Sequence, residues 1–382
     1  MNIAMLGAKS VPAIGGIAHY VEEVGAGLVA RGHTVTVYCR PHYLQGEGEY
    51  RGMRRVVTRG VRGKHLDALT HTLSAAVHAA REGYDVVHIH GSAPGMLAGI
   101  PKLLGRKRVL VTIHALDWRG AKWSPLASAL MRAAGGAAVR CADGLVAVSE
   151  CVAHEYARHF GCAISTIPTG VSFPELVEAQ EILELGLQPG RYIFCASRLM
   201  PEKGVHHLID AFEGLDTDMK LAIAGNAPYE DDYTRRLLAR ASDRIIFLGF
   251  VQGRVLAELY SNAYLYVQPS ELEGMSMAVL EALSYGRCVV ASDIEPNREA
   301  LGPCGYTFEC GNVEDLRAVI ARLLARPEVV SGHFAVAREF IRTRRSWDQT
   351  VEAYEQAYDD LLAGRVTTFA GGWGPVAGES AH

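Results

Sequence analysis

Short apolar, β-branched runs recur along the chain, and between them apolar residues return every three or four positions. Residues 3–6, 34–38, 86–90, 109–114, 145–149 and 165–168 have the length and composition of buried strands, and the stretches separating them have helical spacing. Alternation of strand with helix predicts parallel sheets of the α/β class. From Thr169-Gly170-Val171 to Pro189-Gly190 the pattern weakens, which predicts a linker. The cycle restarts at 192–197 and continues through 221–225, 245–248, 265–268 and 289–292, ending in helices around 313–324 and 347–362. Two doubly wound domains are expected, residues 1–172 and 190–345, with the helix at 347–362 packing back on the first. Residues 364–382, including Gly371-Gly372-Trp373-Gly374-Pro375, have no periodicity and read as a disordered tail. Ligands of doubly wound sheets bind beyond the carboxyl ends of the strands, so two such domains facing each other would make a cleft, with the chemistry in strand-end loops.

A length of 382 residues, 49% apolar and 21% charged, fits two ordinary globular cores. The longest apolar runs are of strand length, well short of the roughly 18 residues that cross a bilayer. Met1-Asn2-Ile3-Ala4-Met5-Leu6-Gly7 lacks a basic n-region and reads as a buried first strand, so a cytoplasmic protein is expected. The eight cysteines are scattered with no C-x-x-C pair, which argues against zinc and a disulfide framework. The net charge of -4 hides an asymmetry: residues 1–170 carry 19 Lys/Arg against 11 Asp/Glu, and the remainder 19 against 31. Arg51, Arg54, Arg55, Arg59, Arg62 and Lys64 form a run without an acid, reinforced by Arg106, Lys107 and Arg108. Such a run is either a solvated loop or an attractor for an anionic acceptor or an acidic membrane surface at which the protein sits peripherally. Nucleic acid fits poorly, because the overall balance is acidic and only Tyr50 interleaves the run.

The most informative chemistry lies in Pro269-Ser270-Glu271-Leu272-Glu273-Gly274-Met275-Ser276-Met277 and the apolar-faced helix expected from Met277 to Tyr285. Ser276 can cap that helix, so Glu273 lies just before its N-terminus and Glu281 two or three turns in. Eight residues at about 1.5 Å each separate the carboxylates by about 12 Å. That is too far for paired acid/base work on one bond, but it is the span from a sugar ring across a diphosphate to a ribose. Arg198 and Lys203 leave the strand at 192–197, one a planar fork and the other a point charge, a combination suited to a diphosphate; the bland alternative is a surface pair with Glu202. Such cations would neutralise charge growing on a leaving group. Gly15-Gly16 opens a helix and lets backbone N–H groups approach an anion, although a Gly-Gly turn is often mere punctuation; the dinucleotide fingerprint and the P-loop are both missing. His114 at the end of 109–114 is either a buried structural histidine or a contact for a sugar. His88 and His90 share a strand face without a third ligand, so no metal site is expected. Glu230-Asp231-Asp232, after Pro228, reads as a solvated helix start rather than a magnesium site.

Together these residues resemble the retaining glycosyltransferases of family 4, which have the GT-B architecture of two facing Rossmann-like domains. The resemblance covers nearly the whole chain to about Leu362 and is carried by Glu273 and Glu281 with Ala282-Leu283-Ser284-Tyr285-Gly286, by Arg198 and Lys203, and by Gly15-Gly16-Ile17 with Arg31-Gly32-His33. His114-Ala115-Leu116-Asp117-Trp118 through Lys122-Trp123, and Ser292-Asp293-Ile294 with Asn297-Arg298-Glu299, resemble the rhamnosyltransferase-like branch that builds surface polysaccharides. The resemblance implies that Gly15 and Gly16 border the donor phosphates and that His114 contacts the transferred sugar. Arg198 and Lys203 would hold the diphosphate, Glu273 the sugar hydroxyls and Glu281 the ribose. The backbone at Met275, Ser276 and Met277 would meet sugar and phosphate, and Asn226, Phe250 and Val251 would border the nucleotide. It further implies front-face transfer with retention, no metal or other cofactor, a UDP-, GDP- or dTDP-sugar donor, and a hydroxyl acceptor, anionic or lipid-linked, that Arg51, Arg54, Arg55 and Arg59 would attract. Thr169, Asn226 and Met275-Ser276 depart from the residues common in the family without removing a charge from the catalytic set. Two other readings fit the architecture, a nucleotide-sugar epimerase and a non-catalytic partner subunit.

Overall fold

The computed structural model describes every residue except 14, 45–47, 62–66, 120–123, 228–230 and 366–382. Arg62, Lys64, Lys122-Trp123, Pro228, Glu230 and nearly all of the expected tail therefore lie outside the described residues. The chain divides into two units, Met1–Gly170 joined by the segment from Trp347 onward, and Val171–Ser346.

In the first unit the strands are β1 (Asn2–Leu6), β2 (Thr34–Cys39), β3 (Arg54–Val57), β4 (Val86–His90), β5 (Arg108–Ile113), β6 (Gly144–Ala147) and β7 (Ser165–Thr166). They form one sheet in the order β3-β2-β1-β4-β5-β6-β7, every pair parallel. The second unit has β8 (Tyr192–Ala196), β9 (Lys220–Ala224), β10 (Ile245–Gly249), β11 (Leu265–Gln268), β12 (Cys288–Ser292) and β13 (Gly305–Phe308). Their order is β10-β9-β8-β11-β12-β13, again all parallel. Each sheet reverses its winding once, between β1 and β4 and between β8 and β11. β4, β11 and β12 are buried along their whole length, as strands covered by helices on both faces require.

Two strands escape sequence patterning. In β3 the charges of Arg54 and Arg55 hide a four-residue strand, and it lies at a sheet edge, where charged side chains guard open hydrogen-bonding groups. β13 is an edge of the second sheet and equally short. The stretch expected to be a linker is instead fastened to the second unit. The fully buried Glu258 carboxylate accepts from the backbone N–H of Gln180 and Ile182, Ser261 Oγ accepts from Val177 N–H, and Ile182 is itself buried. Weak periodicity there reflects side-chain tethering of irregular backbone rather than freedom.

The helix Trp347–Leu362 packs on Gly16–Ala30 of the first unit. Gly27 makes the close approach possible: a Cβ there would lie 2.5 Å from Val351 Cγ2. Glu355 bonds Arg31 and His33, and Thr350 Oγ1 donates to Pro168 O. No helix among the described residues is long and apolar enough to cross a membrane. All eight cysteines are free thiols.

Candidate functional site

In the second unit, the expected donor residues gather at the reversal between β8 and β11. Only two residues of each strand pair, Ile193 with Leu265 and Phe194 with Tyr266, so the strands part beyond them. Tyr266 Oη fills the opening, taking the Ala196 N–H at 3.4 Å and lying 2.6 Å from Gln268 Oε1. From there a buried chain runs outward. Gln268 Nε2 donates to Ser270 Oγ at 2.5 Å and to Glu273 Oε1 at 3.4 Å, and Ser270 Oγ donates to Glu273 Oε1 at 2.8 Å.

Lys203 completes the cluster, its Nζ 2.6 Å from the same Oε1, with both side chains 11% exposed. Glu273 Oε1 is thus engaged three times, while Oε2 has no partner among the described residues. Arg198 is exposed on the same β8 loop and makes no ion pair there. The loop closes on Gly204, whose φ of +62° suits glycine, and a Cβ there would lie 2.0 Å from Pro269 O. The loops bearing Lys203 and Glu273 therefore touch backbone to backbone, and Glu271 N–H donates to Glu202 O at 3.0 Å.

The helix after this loop is Met277–Ser284, with Ser276 at its N-cap position. Ser276 does not cap as expected: its Oγ is buried and has no hydrogen-bond partner among the described residues. Glu281 lies one helix face further, where Tyr260 Oη donates to its Oε2 at 3.0 Å and Tyr260 stacks on Tyr285 at 5.3 Å. Gly225 N–H bonds Gly249 O, and Leu199 N–H bonds Asn226 O, so the loops after β8, β9 and β10 are joined. Beside them Asn226 is exposed, Val251 is half-buried, and Phe250 leaves 68% of its surface open.

The reversal in the first unit is lined by histidines. His90 ends β4, and its Nδ1 lies 3.2 Å from His114 Nε2, with the Tyr20 ring edge-on to His114 at 4.9 Å. Desolvation pushes the His114 pKa down to about 3, so its imidazole is neutral at physiological pH. His88 is committed elsewhere. Its Nδ1 lies 2.7 Å from Tyr358 Oη and its Nε2 2.7 Å from Thr112 Oγ1, which continues to Tyr354 and Tyr20. This chain of hydroxyls docks the helix Trp347–Leu362 on the sheet. Gly7, with φ +99°, passes so close that a Cβ would lie 2.3 Å from His90 O. Gly15, at φ +98°, and Gly16 open the helix Gly16–Ala30 with free space around them.

The basic run is divided. Arg51 pairs with Glu23 at 2.5 Å and with Glu22 at 3.3 Å. Arg55 donates to Gly48 O and Val11 O. Acids distant in sequence thus neutralise part of a run that contains none, and Arg54 and Arg59 remain exposed without an ion pair among the described residues. Sequence reasoning missed Tyr266, Gln268, Ser270 and Tyr260; the one visible signal was a glutamine closing an apolar strand.

Two family models match the chain: one described as glycosyl transferases group 1 over residues 184–333, and one described as glycosyltransferase family 4 over residues 14–173. The GDP-mannose-dependent alpha-(1-6)-phosphatidylinositol monomannoside mannosyltransferase of Mycobacterium tuberculosis is 26% identical, with 88% of this chain and 92% of that protein covered. The MMP alpha-(1->4)-mannosyltransferase of Mycolicibacterium hassiacum is 27% identical, with 95% and 100% covered. Among solved structures, sucrose-phosphate synthase from Thermosynechococcus elongatus superposes with a TM-score of 0.83 at 21% identity, covering 95% of this chain and 99% of that one. At that identity the likeness speaks for the fold alone, which is GT-B.

Proposed function

The chain belongs to the glycosyltransferases in which a family 4 domain precedes a group 1 domain, and we propose that it moves a hexose, with retention, from a nucleoside-diphosphate sugar to a hydroxyl acceptor in glycolipid or polysaccharide assembly. The observation that carries the reading is the Lys203–Glu273 pair at the reversal between β8 and β11, with Arg198 exposed on the same loop. Doubly wound sheets bind ligands at such a point. A diphosphate takes Lys203 and Arg198, and the open Oε2 of Glu273 accepts from sugar hydroxyls. The N–H groups at the helix start, and the Ser276 hydroxyl, which has no partner among the described residues, meet the phosphates. Glu281 holds the ribose, and Phe250 lies against the base.

In the transfer, the bond from sugar C1 to the diphosphate oxygen breaks with its electron pair leaving on the diphosphate. The acceptor oxygen bonds C1 from the same face, and its proton passes to the departing phosphate oxygen. Lys203 and Arg198 stabilise the charge that develops there, a role worth roughly 100-fold or more in rate for one preorganised group. With two cations serving the leaving group, transfer proceeds without a divalent ion at the phosphates, and enzyme treated with a chelator retains its turnover.

The relatives' names favour a mannosyl donor. A thermal-shift panel of GDP, UDP, ADP and dTDP tests this, since ligand at 100 times its Kd adds about 2.7 kcal/mol of stability. GDP alone should raise the melting temperature clearly; a response to none of the four contradicts the donor site. Proton NMR of the first product reports the anomeric configuration, and inversion overturns the retaining scheme. Product formed from donor without acceptor favours the epimerase instead.

A further inference from the structure

Beside the donor loops lies a cluster that the transfer does not use. His206 and His207 stand in the first turn of the helix Val205–Glu213, and Glu271 projects from the loop after β11. One ligand atom from each lies within 4.8 Å of the others. We propose that His206, His207 and Glu271 bind a divalent transition-metal ion of the zinc class, stapling the loop that carries Lys203 to the loop that carries Glu273.

The donor set is the first argument. Two imidazoles and one carboxylate suit zinc, which binds such groups at about 2.0–2.2 Å and leaves a fourth position for water. Bonds of that length place tetrahedral ligands about 3.3 Å apart. His207 Nε2 and Glu271 Oε1 already stand 2.9 Å apart, so one edge is formed, and a ring nitrogen of His206 lies within 4.8 Å of both partners' ligand atoms.

Orientation is the second argument. Tyr233 Oη lies 3.1 Å from His206 Nδ1, and Nε2 has no partner among the described residues. A hydroxyl that accepts from Nδ1–H fixes the tautomer whose Nε2 lone pair is available, the usual arrangement behind a metal-bound histidine. The two rings sit 3.9 Å apart by their centroids. Two histidines held this closely repel when protonated and converge when they share a cation.

Position supplies the consequence. Glu271 is two residues before Glu273, and His206 is three after Lys203, so a bound ion tightens the loop contact that Gly204 and the Glu202–Glu271 backbone bond already make. The ion adds rigidity to the donor grip and takes no part in the bond-breaking step, so its loss lowers the melting temperature and leaves turnover at low temperature intact.

Tag-free, chelator-stripped protein is titrated with Zn²⁺ against a chromophoric competitor, and with Co²⁺ while its visible d–d absorption is read. One equivalent should bind, with the strong absorption of a tetrahedral Co²⁺ site and a raised melting temperature. Tyr233→Phe should weaken Zn²⁺ binding about 10-fold, the scale of losing an orienting partner. His207→Ala and the near-isosteric Glu271→Gln should weaken it further and abolish the thermal response, with circular dichroism unchanged. Zn²⁺ affinity equal in wild type and Glu271→Gln, or binding well below one equivalent, overturns the site. Neither outcome bears on nucleotide binding, which the diphosphate panel reports separately.

Discussion

Lys203 and Glu273 satisfy each other, and under the proposed reading each also meets a different part of the donor, which makes their substitution effects separable. Lys203→Ala should lower turnover by roughly 100-fold or more. It also leaves the mostly buried Glu273 carboxylate without its cation, so the variant should lose about 3 kcal/mol of stability, the lower end for breaking a buried pair. Lys203→Met combined with Glu273→Gln removes both charges and should recover most of that stability in urea unfolding while remaining inactive. An active double variant, or a Lys203→Ala protein as stable as wild type, contradicts the pairing. At this scale Arg198, Lys203, Glu273 and Glu281 were legible as charged residues beside apolar strands and a helix start, and the structure joins two of them, Lys203 and Glu273, in one ion pair. Gln268 and Ser270 were not, because a single polar residue ending an apolar strand has no distinctive neighbour until the fold brings Tyr266 and Glu273 to it. Ser276 shows the converse: its type and position announce a helix cap, but the hydroxyl makes no capping bond.

Among the elements, the terminal helix Trp347–Leu362 is held to the first unit through a buried histidine, and this gives the unit a pH dependence. Desolvation pushes the pKa of His88, fully buried between Tyr358 and Thr112, down to about 3. An unfolded histidine titrates near 6.5, so below that pH the unfolded chain takes up a proton that the folded one refuses until about 3. Stability present at neutral pH is therefore lost as pH falls through that window, by about 2 kcal/mol at pH 5 from this residue alone. His90 and His114 are shifted in the same direction and add to the loss. Urea unfolding at pH 7.5 and pH 5 should show the decrease in wild type and a smaller one in His88→Gln; equal slopes contradict it. A second element-level test is Gly204→Ala, which forces an L-residue into φ +62° and a Cβ against Pro269 O. It should cost at least about 1–3 kcal/mol and weaken diphosphate binding by separating the two loops, and an unperturbed variant contradicts their close contact. Strands with continuous apolar runs were readable, as were the edges β7 and β10; β3 and β13 were not, because both are four residues long without a continuous apolar run, and β3 begins with two arginines. The tethering of the 171–190 stretch depends on Glu258, whose burial no local pattern announces.

For the whole molecule, the basic first half and acidic second half motivate the proposal that an anionic acceptor is drawn to the first unit, and among the described residues of the basic run Arg54 and Arg59 are the exposed cations without an ion pair. Arg54→Glu with Arg59→Glu should raise the acceptor KM and flatten its salt dependence, with donor KM unchanged; an unaltered salt response removes the idea. Two tandem doubly wound units could be read from alternation alone, because the period of each element is written in every strand and helix. What the sequence withheld was side-chain partnership across long separations, as between Lys203 and Glu273 or between Arg51 and Glu23. The most direct measurement of the central claim is calorimetric titration of GDP, and of guanosine as the phosphate-free control, into wild type, Arg198→Ala and Lys203→Ala. GDP should bind wild type and lose at least about 10-fold in affinity, 1.4 kcal/mol, in each variant, with guanosine unaffected. Equal GDP affinity in all three proteins would show that these cations do not hold the leaving group.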